Sequence, residues 1–483
     1  MKAKIPLSSQ HKLPETLEEA HQEILILRQK NAELEERLQR LEEMLGLNSK
    51  NSSKPPSSDM KKSNSKLRKL KTSKNKDRKA RQLWPEEKVS HTILCPPPEV
   101  CGCGGTIQSH GKPYIHENFE LPEIEPVVTH YHLQYGRCKK CQRNHQGKLP
   151  VGAHGGILGP KILALSGVLS SHYHLSKAKI CLLFHDLLGL DVAIGTLSEH
   201  EELLSHSLKP CYDEIQAALQ QSMWVHMDET SFRQGNRDGR NAEKRRAWVW
   251  VMLSQHLTLF KIALGRGQAQ ARELLGEDFK GIVNSDRYNA YNIIPESQRA
   301  YCWAHLLRDF QRIAERPGEC AEIGKGLVEH AVQVFIDWHR YQSGELKRST
   351  FRYYMRGLRR NVRALLSLGA DYQKMKGEKS LRAKTASICR SLLKVEPCLW
   401  TFTNQEIEPS NNRAERAIRP FVTYRKVCYG TQSERGSRFL ERVFSVVSSC
   451  RQQQRNVLSF LSESIQAHLG EGTTPSLVLG INP

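Results

Sequence analysis

Apolar positions first recur as a helical seam. Leu17, Ala20, Ile24, Leu27, Leu34, Leu38, Leu41 and Leu45 alternate at spacings of three and four, with Asn31 in the one polar slot of the series. Such an alternation predicts a coiled-coil helix, in which a buried amide at Asn31 selects register and a parallel pairing. An amphipathic helix packed on its own domain would show the same stripe. From Gly159 to Gln221 the pattern is helical again, broken at "LLGLDVAIGTLSEHEELL". Gly189 reads as a C-cap there, and Thr196 with Glu199 as a T-x-x-E capping box that opens the next helix. Two helices joined by a short turn have the outline of a helix-turn-helix, although most such pairs are only packed helices.

The pattern then changes. "MWVHMDET", "RAWVWVMLS" and "HLTLFKIAL" are rich in Val, Trp, Phe and Ile and predict three strands in meander order. A helix around "QAQARELLGE" leads to a fourth strand, "GIVNSD". This order predicts a mixed sheet with helices packed on it. The stretch from His305 to about Leu399 is helical and basic and interrupts the sheet domain before Glu415 and a final helix, roughly Arg438 to Leu469.

Length and charge add to this picture. At 483 residues the chain is too long for one core, so several domains are expected. Its net charge is +21, and Lys50 to Arg81 holds +11 of it, thirteen Lys and Arg against Asp59 and Asp77. A basic segment rich in Ser, Asn and Pro cannot bury enough surface to fold alone, and it attracts polyanions by counterion release. DNA or RNA is the leading partner class, with an anionic membrane surface behind it. The opening MKAKIPLSSQ has no apolar core of a leader, and no run approaches the roughly 18 to 20 apolar residues of a membrane span, so a cytoplasmic protein without membrane contact is expected.

Five of the thirteen cysteines lie between Cys95 and Cys141. In a reducing compartment such clustering points to metal ligation more than to disulfides. Cys138 and Cys141 have zinc-knuckle spacing. Cys101 and Cys103 are one residue apart, with Gly102, Gly104 and Gly105 giving the turn freedom, and Cys95 or His145 are alternative ligands. A structural Zn²⁺ ribbon held by Cys101, Cys103, Cys138 and Cys141 is expected, against a set of ordinary reduced thiols.

Asp228 at the end of "WVHMD" and Asp286 at the end of "GIVNSD" occupy strand ends, where open α/β folds place ligands. Singly, each reads equally as a turn residue or helix cap. Paired, with Glu415 as a third carboxylate, they would make an oxygen site for two Mg²⁺, or Mn²⁺, suited to phosphodiester chemistry. On a helix starting near Asn411, Ala414, Ala417 and Ile418 form an apolar stripe with Glu415 and Arg419 beside it. Arg413, Arg416 and Arg419 repel one another unless an anion such as a DNA phosphate neutralises them. The alternative is a solvated helix with a Glu415–Arg419 pair. Glu229 should point to the opposite face from Asp228. Glu406, Glu408, Glu434 and Glu441 are weaker candidates for the third carboxylate.

The ordered motifs "NSSKPPSSD", a cysteine knuckle, "HMDET", "NSDRYNAY", "CWAHLLRDF" and "SNNRAERAIRP", followed by "RK", resemble the insertion sequence 66 family of bacterial transposases. That resemblance implies a DDE transposase with a ribonuclease H-like catalytic domain, whose metal-binding triad would be Asp228, Asp286 and Glu415. Arg413, Arg416, Arg419, Arg425, Lys426 and Arg308 would face DNA. The Cys101-x-Cys103 pair departs from the commoner C-x-x-C, and Cys302 and His305 form a C-x-x-H of the kind found near DDE sites.

The resulting architecture is multi-domain: an N-terminal coiled coil, a zinc ribbon, a helical region, then an α/β ribonuclease H-like catalytic domain with a helical insertion. Its expected divisions are a coiled coil over 1–48, a basic linker over 49–90, the ribbon over 91–150 and helices over 151–221. The catalytic core follows over 222–305, with the insertion over 306–400 and the third acid and last helix over 401–483. The expected activity is metal-dependent strand cleavage and strand transfer of an insertion element, with element ends and target DNA as partners. A homodimer or higher oligomer would form through the coiled coil, in the bacterial cytoplasm at the nucleoid, and accessory proteins of the element are further candidate partners. The alternatives are a DNA-binding repressor without catalysis and a ribonuclease H-like nuclease without strand transfer.

Overall fold

The computed structural model describes residues 16–46, 83–108, 111–405 and 407–478, so most of the basic linker and Glu406 lie outside the described residues. The chain divides into two compact units, one of residues 61–128 and one of residues 1–60 with 129–483.

In the smaller unit Val100 and Thr106 form an antiparallel bridge around the first cysteine turn. The Cys101 N–H donates to Gly105 O and the Gly104 N–H to Cys101 O, both at 2.8 Å. Gly104 has a φ of 89°, a conformation that favours glycine. Trp84 meets Phe119 edge-on with ring centroids 5.5 Å apart.

The larger unit begins with α1 (Leu17–Gly46), a single helix of 30 residues. Its seam residues Leu17, Ile24, Leu27, Leu34 and Leu38 are all exposed. A short antiparallel hairpin, β1 (Tyr135–Arg137) and β2 (Asn144–Gln146), carries the second cysteine turn. There the Cys138 N–H donates to Arg143 O and the Gln142 N–H to Cys138 O, both at 2.9 Å.

Helices α2 (Pro160–Ser171), α3 (Lys177–Leu188) and α4 (Ile194–Gln220) follow. Gly189 caps α3 in the left-handed region, at φ 61°, as its sequence position predicts. The Thr196 capping box does not form. Helix α4 starts three residues earlier, with Ala193 in place of Thr196 at its N-cap, so Thr196 lies inside its first turn, where its carbonyl is 2.7 Å from His200 Nδ1.

The central sheet comprises β3 (Trp224–Phe232), β4 (Ala247–Leu253), β5 (Thr258–Ala263), β6 (Ile282–Ser285) and β7 (Arg299–Tyr301), with α5 (Gln268–Leu275) between β5 and β6. Its spatial order is β5-β4-β3-β6-β7. The first three strands form the expected antiparallel meander, and β6 and β7 run parallel to β3. Strand β4, "AWVWVML", is apolar without alternation and buried nearly throughout, as a strand covered on both faces must be. The three-residue β7 is too short to leave a periodic signal, and sequence reading missed it.

The helical segment after β7 comprises α6 (Trp303–Ala314), α7 (Glu319–Gln342), α8 (Arg348–Ala370), α9 (Leu381–Lys394), α10 (Glu396–Leu399) and α11 (Phe402–Gln405). It has its own core, in which Trp303, Trp338, Phe351, Trp400 and Phe402 gather, with Trp303 and Trp400 centroids 4.9 Å apart. The chain then returns to the sheet in α12 (Asn412–Val427), which packs across β3 and β4, and in α13 (Glu434–Gln452), which packs on β5. Phe421 of α12 and Phe444 of α13 lie 4.1 Å apart by centroid in the sheet core. The single final helix expected from the sequence is two, because the polar run Gln453–Asn456 ends α13, and Asn456 caps α14 (Val457–His468) by accepting the Ser459 N–H at 3.0 Å. Among the described residues no helix is long and apolar enough to cross a membrane.

Candidate active site

Asp228 lies inside β3 and not at its end, opposite Val251 of β4. The expected strand end is overridden because β4 continues the ladder through Glu229, Thr230 and Ser231 to Phe232. On its other side β3 pairs in parallel with β6, Trp224 with Ile282, Val225 with Val283 and His226 with Asn284. Strand β6 ends at Ser285, so Asp286 follows a strand end as expected. Asp286 lies two residues past the last of these pairs, near enough for its charge to act on Asp228. Strand alternation also places His226 on the face of Asp228, and Asn284 on the face of Asp286.

Those two buried polar residues tie down the start of α12. Asn411, 1 % exposed, donates from Nδ2 to Met227 O at 2.6 Å, and its Oδ1 lies 3.1 Å from His226 Nδ1. Its backbone N–H donates to Cys302 Sγ at 3.0 Å. Asn284 Nδ2 donates to Glu408 O at 2.7 Å, and the Trp303 N–H to Pro409 O at 2.8 Å. The chain entering α12 is therefore pinned to β3, to β6 and to the start of α6. Ala414 and Ile418 bury the inner face of α12, as their stripe predicts.

Glu415, in the first turn of α12, is half-buried and faces α6. Arg308 Nη2 donates to its Oε1 at 3.1 Å, and His305 Nδ1 lies 3.6 Å from the same oxygen. The partner is thus Arg308, whereas Arg419 is exposed. Cys302 Sγ, a ring nitrogen of His305 and a Glu415 carboxylate oxygen all lie within 4.8 Å of one another. Such a sulfur, nitrogen and oxygen set suits borderline-soft ions, whereas three carboxylates suit Mg²⁺ or Mn²⁺.

The electrostatics mark the two aspartates as a concentrated negative charge. Burial pushes the Asp228 carboxyl well above the usual carboxylate range, and the charges of Glu229, Asp286 and Glu415 raise it further. Burial likewise raises Asp286, although Arg266, Arg299 and Arg287 act against it and its Oδ1 accepts the Tyr288 N–H at 2.8 Å. Asp228 has only the Glu229 N–H, at 2.9 Å, as a hydrogen-bond donor among the described residues. A cation-hungry carboxylate beside a second one is the donor chemistry that a hard divalent ion requires, whereas the group of three ligand atoms within 4.8 Å among the described residues joins Glu415 to Cys302 and His305 and includes neither aspartate. His305 is held neutral, its pKa lowered to about 3 by burial, Arg308 and Arg287, and burial pushes the Cys302 thiol up to about 12.

Glu229 turns away from this site. It is buried, bonded by Arg266 at 2.9 and 2.7 Å and by the Tyr291 hydroxyl. The other acids have separate partners: Glu441 accepts the Ile262 N–H and pairs with Arg438 at 2.9 Å, Glu408 accepts from the Ser410 hydroxyl and forms an ion pair with Arg413, and Glu434 lies 3.8 Å from Arg240.

Of the arginines expected to face DNA, Arg308 is engaged with Glu415, and Arg425 ties α12 to β3 through Thr230 Oγ1 at 3.0 Å and Ser231 Oγ at 2.8 Å. Arg413 pairs with Glu408 at 3.3 Å. Arg416, Arg419 and Lys426 are exposed and have no ion pair among the described residues. Each cysteine turn brings its own two thiols together, the Gly105 N–H lowering the Cys103 thiol and the Cys141 N–H lowering that of Cys138.

Sequence reading did not single out His226, Asn284 and Asn411 as the supports of the site, nor His305 and Arg308 as the partners of Glu415. A signal existed: His226 and Asn284 are polar residues inside apolar strands, each two positions before an aspartate.

Residues 6–86 match a family of unknown function (DUF6444). Two proteins of Sinorhizobium fredii are similar: uncharacterized protein y4qI is 24% identical over 316 residues, and uncharacterized protein y4hP 23% over 413 residues. These alignments cover 61% and 77% of this chain, and the chain spans only 57% of the first relative and 71% of the second. The stretch that carries β3, β6, α6 and α12 is the part with a functional family: residues 155–438 match the Transposase IS66 family, and the chain belongs to it.

Proposed function

We propose that the chain is a DDE transposase that cleaves the strands at the ends of an insertion element and joins them to target DNA, with Asp228, Asp286 and Glu415 as its metal-binding carboxylates. The observation that carries this reading is the parallel pairing of β3 with β6, together with the charge of Asp286 raising the Asp228 carboxyl. The pinning of α12 to both strands through Asn411 and Asn284 supports Glu415 as the third member. The strand order, an antiparallel meander followed by two strands parallel to its first, supports a ribonuclease H-like core.

Two divalent ions held there would supply an activated water and neutralise charge on the scissile phosphate. Asp228, inside β3, and Asp286, just after β6, would hold them, with the backbone N–H groups of Glu229 and Tyr288 orienting the two carboxylates. Arg308 holds Glu415 from α6, and the exposed Arg416, Arg419 and Lys426 are placed to take phosphates, which set position and not sequence. Hydrolysis breaks one P–O bond and leaves a 3′ hydroxyl. That hydroxyl then attacks a target phosphodiester, and the target's own 3′ oxygen leaves, so bond count is conserved and no external energy is required.

Zinc is the proposed occupant of the cysteine turns, Cys101 with Cys103 and Cys138 with Cys141, each supplying two thiolates. The exposed seam of α1 supports a coiled-coil pairing with a second copy. With Mg²⁺ and labelled element-end duplex, the purified chain should cut at the end and leave a 3′ hydroxyl. Asp286→Asn should cut at least about 100-fold more slowly while binding the duplex equally. Equal cutting by both proteins would remove Asp286 from the site, and binding without cutting by the wild type would favour a repressor.

A further inference from the structure

The helical segment between β7 and α12 carries a charged surface that the carboxylate site does not use. Helix α8, "RSTFRYYMRGLRRNVRALLSLGA", contains six arginines and no acidic residue. Two of the six have structural partners: Arg359 forms a two-point bridge to Glu396 at 2.7 and 2.6 Å, and Arg348 donates to Asn404 O at 3.1 Å. The remaining four, Arg352, Arg356, Arg360 and Arg363, are exposed, and none has an ion pair among the described residues. Their spacing of four, four and three residues confines them to a sector of about 80° on a helix with 3.6 residues per turn, along about 16 Å of its length. Phe351, Met355, Val362 and Leu366 fill the opposite face and lock it into the core.

Cations four apart on a helix repel one another, and no interleaved glutamate relieves them here. The neighbouring α7 is different, since it carries Glu319, Glu322, Glu329 and Asp337 among its bases. Beside the arginine row lies an open hollow of about 700 Å³ lined by Tyr353, Tyr354, Arg356, Arg360 and Asn361. Its one acid, Asp337, is buried and lies 3.5 Å from Arg340. Tyr353 is 67 % exposed and offers a ring and a hydroxyl at the edge of the row.

We propose that this outward face of α8 is a DNA-binding surface that holds duplex DNA by its phosphates, separate from the arginines of α12. It rests on the reading of the chain as a transposase, because only that reading makes duplex DNA the polyanion that a straight, unpaired arginine row would meet. Contacts of this kind position a duplex without reading its sequence.

The test is the salt dependence of binding by the full chain to a short random-sequence duplex. A variant with Arg352, Arg356, Arg360 and Arg363 all changed to Gln should lose about 3 to 4 from the slope of log K against log salt, since each phosphate contact contributes about 0.9. The matching set of four Arg→Lys changes should keep the slope. A Gln variant with the wild-type slope would overturn the proposal, as would an equal loss in the Lys variant or a loss seen only with duplex RNA. Cutting of element-end DNA in the same preparations reports on the carboxylates separately. A slope change without any cutting by the wild type would sink the transposase chemistry and leave the α8 surface standing.

Discussion

Asp228 bears a charge that the fold leaves unbalanced. Its carboxyl is pushed up by burial and by Glu229, Asp286 and Glu415, so at neutral pH its ionised form opposes folding. Asp228→Asn should therefore raise the thermal midpoint of the metal-free protein at pH 8, where the wild-type carboxyl is most strongly driven to ionise. Saturating Mg²⁺ should erase that advantage by stabilising the wild type alone, and calorimetry with and without the ion checks both. An equal or lower midpoint for the metal-free variant would contradict the crowding of carboxylates. Arg308 acts one step away, through Glu415. Arg308→Ala should lower the cleavage rate about 10- to 100-fold with duplex affinity retained, because a small displacement of a reacting group has effects of that order. Lost affinity at an unchanged rate would make Arg308 a phosphate contact instead. Asp228 and Asp286 stood out in the sequence because each follows an apolar run, and Glu415 because it is a lone acid among arginines. Their supports were not, since the bonds from Asn411 to Met227 and His226 span 184 and 185 positions and only the folded chain brings them together.

Elements were read best where burial is one-sided or complete. The β3 to β5 meander, α5, β6 and the start of α12 all follow from period and composition, while β7 is too short to carry a period and the break between α13 and α14 falls in a polar run that does not stop the apolar stripe. The contact of α13 with β5 also makes a pH prediction. Glu441 is buried there, accepts the Ile262 N–H, and has its pKa raised to about 7 by burial. A carboxyl with a raised folded-state pKa holds its proton more tightly in the folded protein, so stability falls as pH climbs from about 4.5 to about 7. Glu441→Gln should flatten that fall: the wild type should lose on the order of 2 to 3 kcal/mol relative to the variant between pH 4.5 and 8. Parallel pH profiles of denaturant unfolding for the two proteins would show that Arg438 already balances the charge.

At the scale of the molecule, the sheet and the helical segment are two hydrophobic cores in one chain, joined where α6 and α12 meet at Glu415. Glu415, the proposed third carboxylate, thus sits on the sheet side of that junction, with its ionic partner Arg308 on the helical side. The helical segment from α6 to α11 carries Arg308 and the α8 arginines as well as its own core. The central claim is that one site performs both hydrolysis and transfer. It is tested most directly by giving the full chain a pre-cleaved element end with a free 3′ hydroxyl, target plasmid and Mg²⁺, and scoring joined product against Glu415→Gln at equal duplex affinity. The account predicts joining by the wild type and none by Glu415→Gln. Equal joining by both would contradict it by removing Glu415 from the chemistry, and hydrolysis without joining by the wild type would leave a nuclease in place of a transposase.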